Sequence, residues 1–329
     1  MHHRTSLYAL IGRGTAAAIL AAASVSTAWP QDYPSRNVTL VVPYPAGGGT
    51  DLFARAIGQE LSAKLGKPII VENRSGASGN IGAEAVVRSA PDGHTLLYTA
   101  SPIALSQAVY KKLRFDALRD LKPITMAVSI PQVLVVHPAL PVKSTKALVA
   151  LAQSKPGMLT FSSGGVGSAG HFAAELFKLM TGADMRHVPY RGAAPALVAL
   201  ISGETQLAFL VPPVVRPQLE ASKLRALAVT SRKRSALFPN VPTLHELGYA
   251  NFEALQWHGL FAPAKTPAAI VDTLGEAVKA ALASPSVQAR FSAEGAEAVG
   301  SSPSEFAAFF KAELAKWSEV AKRAGMSLD

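Results

Sequence analysis

The sequence predicts an α/β protein built as two lobes, and two observations carry that expectation. A strand, a glycine-rich loop and a helix follow one another twice, once near the start of each of two alternating series of strands and helices. Between and after these series, an apolar run broken by Pro131 and a later proline-bounded extended stretch supply two passages from one lobe to the other. Residues 29–130 with 254–329 are expected to form one lobe, and residues 131–253 the second. The 329 residues contain no cysteine, which excludes a disulfide scaffold, thiol catalysis and thiolate metal sites. The fold must therefore rest on its core, and a chain of this length can bury enough apolar surface for two lobes.

The first 28 residues read as a secretory leader. Arg4 and Arg13 give the positive start, residues 15–25 the apolar centre, and Ser26, Thr27 and Ala28 a small-residue cleavage site. The apolar segment is short for a bilayer span. Removing the two arginines leaves 30 Lys and Arg against 22 Asp and Glu, a net charge of +8. That charge is scattered: its only compact run, Arg232, Lys233 and Arg234, reads as a solvated turn, and no basic stripe with aromatic neighbours points to a nucleic acid.

The elements then follow in order. Residues 38–42 read as a buried strand, and 51–65 as a helix with Leu52, Phe53, Ala56, Ile57, Leu61 and Leu65 on one face. Residues 68–71 form a strand, "SGASGN" a turn, 81–88 a helix, and 94–99 a strand introduced by the turn "PDG". After the passage at 124–137 come a strand at 158–161, the loop "SSGGVGSAG", a helix at 171–180, a strand at 186–188, a helix at 193–201 and strands at 207–211 and 224–230. Residues 252–267 return to the first lobe, and 268–325 are helical, with Pro285 and Pro303 at helix starts. Such alternation implies mostly parallel sheets with helices on both faces.

Beyond the carboxyl ends of parallel strands, a loop entering a helix presents free backbone N–H groups and the positive end of the helix dipole, which together bind anions. "AGGGTD" and "SSGGVGS" offer this twice, although the same glycines also suit tight turns without a ligand. Nucleotide motifs do not fit: no lysine follows the glycines, and the dinucleotide spacing is absent. The nucleophile elbow G-x-S-x-G is missed by one residue in "VGSAG", at Val166, and in "GASGN", at Asn80. Ser168 and His171, three apart at a helix start, fit either a helix cap or the catalytic pair of an exported serine hydrolase. The histidines are dispersed without ligand spacing, so no metal and no cofactor is expected.

The segments "VPYPAGGGTDLFAR", "VENRSGASGNIGAEAV", "PDGHTLLY", "SSGGVGSAGHFAAELF", "VPYRGAAPAL", "LRALAVTSRKRS", "VPTLHELG" and "WHGLFAPAKTP" closely resemble the Bug/TctC family, the periplasmic solute-binding receptors of tripartite tricarboxylate transporters. The resemblance runs from about Tyr33 to the C-terminus. It implies a type II periplasmic-binding-protein fold, two α/β lobes joined by two crossing strands with a ligand cleft between them. It further implies a monomeric periplasmic receptor, not an enzyme, that holds a small mono- or dicarboxylate by two pincer loops and bridging waters for a membrane permease or a sensor. Carried over to this chain, the first pincer spans residues 43–51, with Tyr44, Ala46, Gly47, Gly48, Thr50 and Asp51. The second spans 162–168, with Ser162, Ser163, Gly165, Gly167 and Ser168, followed by His171. Ser101, where the third strand meets its helix, is a further candidate, and Gln206 stands where many family members have an aspartate.

Overall fold

The computed structural model describes residues 33–110 and 112–327, so the leader expected at 1–28 lies outside the described residues. The first series runs β1 (Val38–Val42), α1 (Gly49–Leu65), β2 (Ile69–Asn73), α2 (Asn80–Val87), β3 (Thr95–Ala100), α3 (Pro102–Val109), the one-turn α4 (Ala117–Asp120) and β4 (Leu121–Pro131). At Gln132 the chain passes to a second sheet: β5 (Val133–Val136), α5 (Thr145–Ser154), β6 (Leu159–Ser163), α6 (Ala169–Thr181), β7 (Met185–Pro189), α7 (Ala193–Ile201), β8 (Leu207–Leu210), α8 (Pro212–Glu220) and β9 (Arg225–Val229). It returns as β10 (Leu255–Pro263) and closes with α9 (Ala268–Leu282), α10 (Pro285–Ala293), β11 (Glu297–Ala298) and α11 (Pro303–Arg323).

The strand orders are β11-β4-β10-β3-β1-β2 and β7-β6-β8-β5-β9. Most strands of each sheet run one way, as expected, but both sheets are mixed, because β10 and β11 in the first and β5 in the second run against the rest. β1 is parallel to β2 and β3, and β6 to β7 and β8, but β10 is antiparallel to β3 and β4, and β5 to β8 and β9. The cause is the passage between sheets. Parallel neighbours need a crossover within one sheet, whereas β5 and β10 enter their sheets from outside and can run the other way. Along the crossing, β10 pairs with β4 from Leu255 opposite Pro131 to Pro263 opposite Leu121.

The one-turn α4, α5 and α8 were not expected from the sequence, and α3 only as the helix after the third strand, without bounds. In α3 and α8 the prolines look like breakers, yet Pro102, Pro212 and Pro213 occupy first-turn positions where the missing N–H costs nothing, and only Pro217 lies inside a helix. α5 starts at a conventional cap, Ser144 Oγ accepting from the Ala147 N–H at 3.2 Å.

Packing follows the strand alternation. One face of the first sheet buries Leu40, Leu96 and Tyr98 against Phe53, Ile57 and Leu274, and the other buries Val41, Leu97, Trp257 and Phe261 against Phe306 and Phe310. α11 belongs to both lobes: Phe306, Phe310 and Leu314 pack with Trp257, whereas Trp317, Val320 and Ala321 pack with Phe172 and Phe177 of α6. At the change-over, the buried Glu313 carboxylate accepts from Trp257 Nε1 at 3.1 Å and Trp317 Nε1 at 2.8 Å, and pairs with Lys316. Gly259 of β10 has a packing reason as well, since a Cβ there would lie 2.2 Å from Cζ of the buried Phe306 ring. Gly259→Ala is therefore expected to cost about 1–3 kcal/mol by overpacking. A lower urea midpoint with an unchanged slope would show it, and an unchanged midpoint would refute it.

Candidate functional site

The first glycine loop is held by its own helix. Gly47, at φ +79°, donates its N–H to Asp51 Oδ2 at 2.9 Å. The same oxygen accepts from Arg55 Nε at 3.0 Å, and Oδ1 accepts from Asn73 Nδ2 at 3.0 Å, a group that also donates to the Tyr44 carbonyl. Burial pushes the Asp51 carboxyl upward, but hydrogen bonds from Arg55, the Gly47 N–H and Asn73 outweigh it and hold the group below the usual carboxylate range. Every oxygen of Asp51 is thus engaged in binding the loop to α1 and to the end of β2. Tyr44 shares a 3.2 Å hydrogen bond with Thr99 Oγ1, and burial pushes its phenol up to about 12. Ala46, Gly47 and Gly48 form the exposed tip.

The second loop rests on two stacked imidazoles. His171 and His187 lie 3.8 Å apart between ring centroids, 12° from coplanar, with Phe161 stacked beyond His187. His171 Nδ1 accepts the Gly167 N–H at 3.3 Å, and His187 shares a 2.6 Å hydrogen bond with Ser163 Oγ, which accepts the Gly165 N–H at 3.1 Å. Gly165 and Gly167 adopt φ +118° and +79°, conformations that a side chain would strain. Ser162 Oγ faces away and donates to the Ala196 carbonyl. Burial, then the neighbouring charges of His187 and Lys178, lowers His171 to about 3, and burial with Lys178 lowers His187 to about 4.

These shifts have a stability consequence whose sign is fixed. In the unfolded chain both imidazoles take up a proton near pH 6.5, whereas the folded ones resist it, so stability is full above about pH 6.5 and is lost as pH falls toward 4. His171 alone is expected to withdraw up to about 1.4 kcal/mol per pH unit in that window. Urea unfolding from pH 7 to 4.5 should show a shallower decline in His171→Asn than in the wild type. Parallel declines would refute the assignment.

A cavity of about 280 Å³ opens between the two loops. Eight of its lining residues stand at helix N-termini: Thr50 of α1, Pro102 of α3, Ser168, Ala169 and Gly170 of α6, Gly192 and Ala193 of α7, and Val211, which caps α8. First-turn N–H groups have no acceptor within their own helix. α1, α6 and α7 therefore aim donors at the cavity, while Pro102, Pro212 and Pro213 leave α3 and α8 with few. Among the described residues no charged side chain lines it.

Of the residues expected from the sequence, Tyr44, Thr50 and Ser168 line this cavity. Asp51, Ser162, Ser163 and His171 are buried behind the loops, Gly165 and Gly167 shape the second, and Ser101 lies between the lining residues Ala100 and Pro102 with its buried Oγ unpartnered. Gln206 sits at the opposite end of β8, accepting from the Thr160 N–H and hydroxyl. Sequence reasoning missed Gln132 and Gln256 on the crossing strands, Gly192 with Ala193, and the wall from Phe209 to Val211. The glycine before a helix in "YRGAAPAL" was a signal for Gly192. The catalytic pair does not form: Ser168 Oγ caps α6 by accepting the backbone N–H of His171 at 3.4 Å, and the ring nitrogen facing the loop is taken by Gly167.

The family model described as tripartite tricarboxylate transporter family receptor matches residues 53–326. The chain belongs to this receptor family. BugT of Bordetella pertussis is 38% identical over 327 residues, which cover 98% of this chain and 99% of BugT. Among solved structures, an R. palustris protein with adipate is 38% identical at a TM-score of 0.77, covering 90% of this receptor and 99% of that protein. MatC from Rhodopseudomonas palustris, with bound malate, is 32% identical at a TM-score of 0.74, covering 88% and 99%. The receptor thus has the two-lobed periplasmic-binding-protein fold that the resemblance implied, and its cavity lies in the cleft of that fold.

Proposed function

We propose that this receptor captures a small organic carboxylate in the cleft, leaves it chemically unchanged, and passes it to a membrane permease or a sensor. The observation that carries this reading is the ring of helix N-termini around a cavity without charged side chains. An anion there is met by backbone donors: a hydrogen bond to a charged group contributes roughly 1.5–3 kcal/mol, and each helix terminus about 0.3–1 kcal/mol, or up to about 2 when partly buried. Adipate and malate in the related structures support a carboxylate. In this reading residues 43–51 and 162–168 act as pincers, with the hydroxyls of Thr50 and Ser168 beside them and water completing the contacts. The lobes, 29–130 with 254–329 and 131–253, close about the two crossings. The leader at residues 1–28 directs the chain to the periplasm, where it works as a monomer.

Native mass spectrometry of freshly purified protein tests this directly. A bound small acid, released unchanged on denaturation, is expected. Protein that is always empty, and whose melting point no carboxylate raises, would sink the proposal. Ester turnover that disappears in Ser168→Ala would restore the hydrolase reading.

A further inference from the structure

The helix termini offer donors to the cleft, but the passage between the sheets carries one group of the opposite sense. Gln132, only 2% exposed, is the residue at which the chain leaves β4 for β5, and it lines the cavity. Both crossings hold it in place. Its backbone N–H donates to Thr230 Oγ1 at 2.8 Å, and that hydroxyl donates to the Ala254 carbonyl at 2.6 Å. Its side-chain Nε2 donates to the Ala169 carbonyl at 3.1 Å. This bond fixes the amide, because turning it over would set oxygen against carbonyl oxygen. Oε1 is left with no donor among the described residues, yet it is not among the side-chain atoms sealed from solvent. A Cβ at Gly170 would lie 2.5 Å from the Phe209 carbonyl oxygen and 3.5 Å from this Oε1, so only glycine fits beside it.

Building on the carboxylate reading, we propose that Gln132 is a specificity-determining residue whose Oε1 accepts a hydrogen bond from a hydroxyl on the ligand. The receptor then prefers hydroxycarboxylates to unsubstituted acids of the same carbon skeleton. A bare methylene at this point leaves a desolvated acceptor unpaired, and sites built to hydrogen-bond a hydroxyl discriminate strongly against analogues lacking it. An ammonium group could also donate to Oε1. It is disfavoured because no carboxylate among the described residues lines the cavity to neutralise it, and because the helix N-termini that attract an anion repel a cation.

Calorimetry on matched acids tests the proposal: succinate, malate and aspartate, then glutarate with 2-hydroxyglutarate and adipate with 2-hydroxyadipate. At the carbon length that fits, the hydroxy acid should bind about 10-fold or more tightly than its unsubstituted partner, and aspartate should do no better than succinate. In Gln132→Met the ratio should fall to near one, while the unsubstituted acid keeps its wild-type affinity within a few-fold. A purely structural role for Gln132 would weaken both acids together and leave the ratio standing. Equal affinities within every pair that binds wild-type protein would overturn the inference, whether or not the variant folds, and would leave the carboxylate reading intact. Aspartate binding more tightly than malate, or a ratio that persists in folded Gln132→Met, would overturn it equally. If no acid binds, the reading beneath it fails too.

Discussion

Ala169→Pro is expected to weaken binding of the captured acid by about 10- to 100-fold while leaving α6 folded. Ala169 is the first residue of α6 and lines the cavity, so its N–H has no acceptor in its own helix. Proline is favoured at this position, where its missing N–H disturbs no helical hydrogen bond. The preceding Ser168, at φ −72° and ψ 157°, already has the extended conformation that a following proline requires. The substitution thus deletes one backbone donor and little else. Losing one hydrogen bond to a charged group, roughly 1.5–3 kcal/mol, gives the stated range. Calorimetry, with helix content checked by circular dichroism, reads it. Wild-type affinity in the folded variant would remove that N–H from the binding site.

Glu313→Leu should produce the largest loss of stability, about 2–5 kcal/mol. Two buried indole N–H groups, from Trp257 on the returning strand and Trp317 on α11, converge on this carboxylate. Leucine leaves both unpaired, at about 1–3 kcal/mol each. It also leaves Lys316, whose ammonium donates to the Glu253 carbonyl and lies 4.3 Å from the Trp317 ring centroid, without its ion-pair partner. Glu313→Gln keeps one acceptor oxygen and should lose less. Urea unfolding followed by tryptophan fluorescence ranks the three proteins, and a Leu variant as stable as the wild type would show that the carboxylate does not join the two rings.

Much of this architecture was legible because local pattern and final structure agree. The valine-rich strand, the glycines and the apolar face of α1 announce the first loop, and the same sequence of signals announces the second. Strand direction was not legible. A strand arriving from another lobe has the same apolar composition as one that follows a crossover helix, so β5 and β10 gave no sign that they run antiparallel. The prolines of α8 concealed a helix because first-turn proline and helix-breaking proline look alike in a sequence.

At the site, residue type identified the loops better than it identified roles. Asp51 and His171 were expected at the pincers, His171 also as the candidate partner of Ser168, and the fold employs them to hold the glycines through partners that only folding brings near, Asn73 and His187. Gln132 stood inside an apolar run, where one amide resembles any strand residue turned toward solvent. Its significance needed the crossing geometry, which places it under the Ala169 carbonyl.

The prolines that open α8 have a consequence for the length of the ligand. With donors withheld there, the wall from Phe209 to Val211 offers a ligand few hydrogen bonds. A ligand tethered by its carboxylate must lay its hydrocarbon along that wall, gaining about 0.8 kcal/mol for each methylene it buries. Within about 280 Å³ that gain lasts only as long as the chain stays against the wall. The cleft then reads hydrocarbon length as well as charge, because each methylene laid along that wall adds to the affinity.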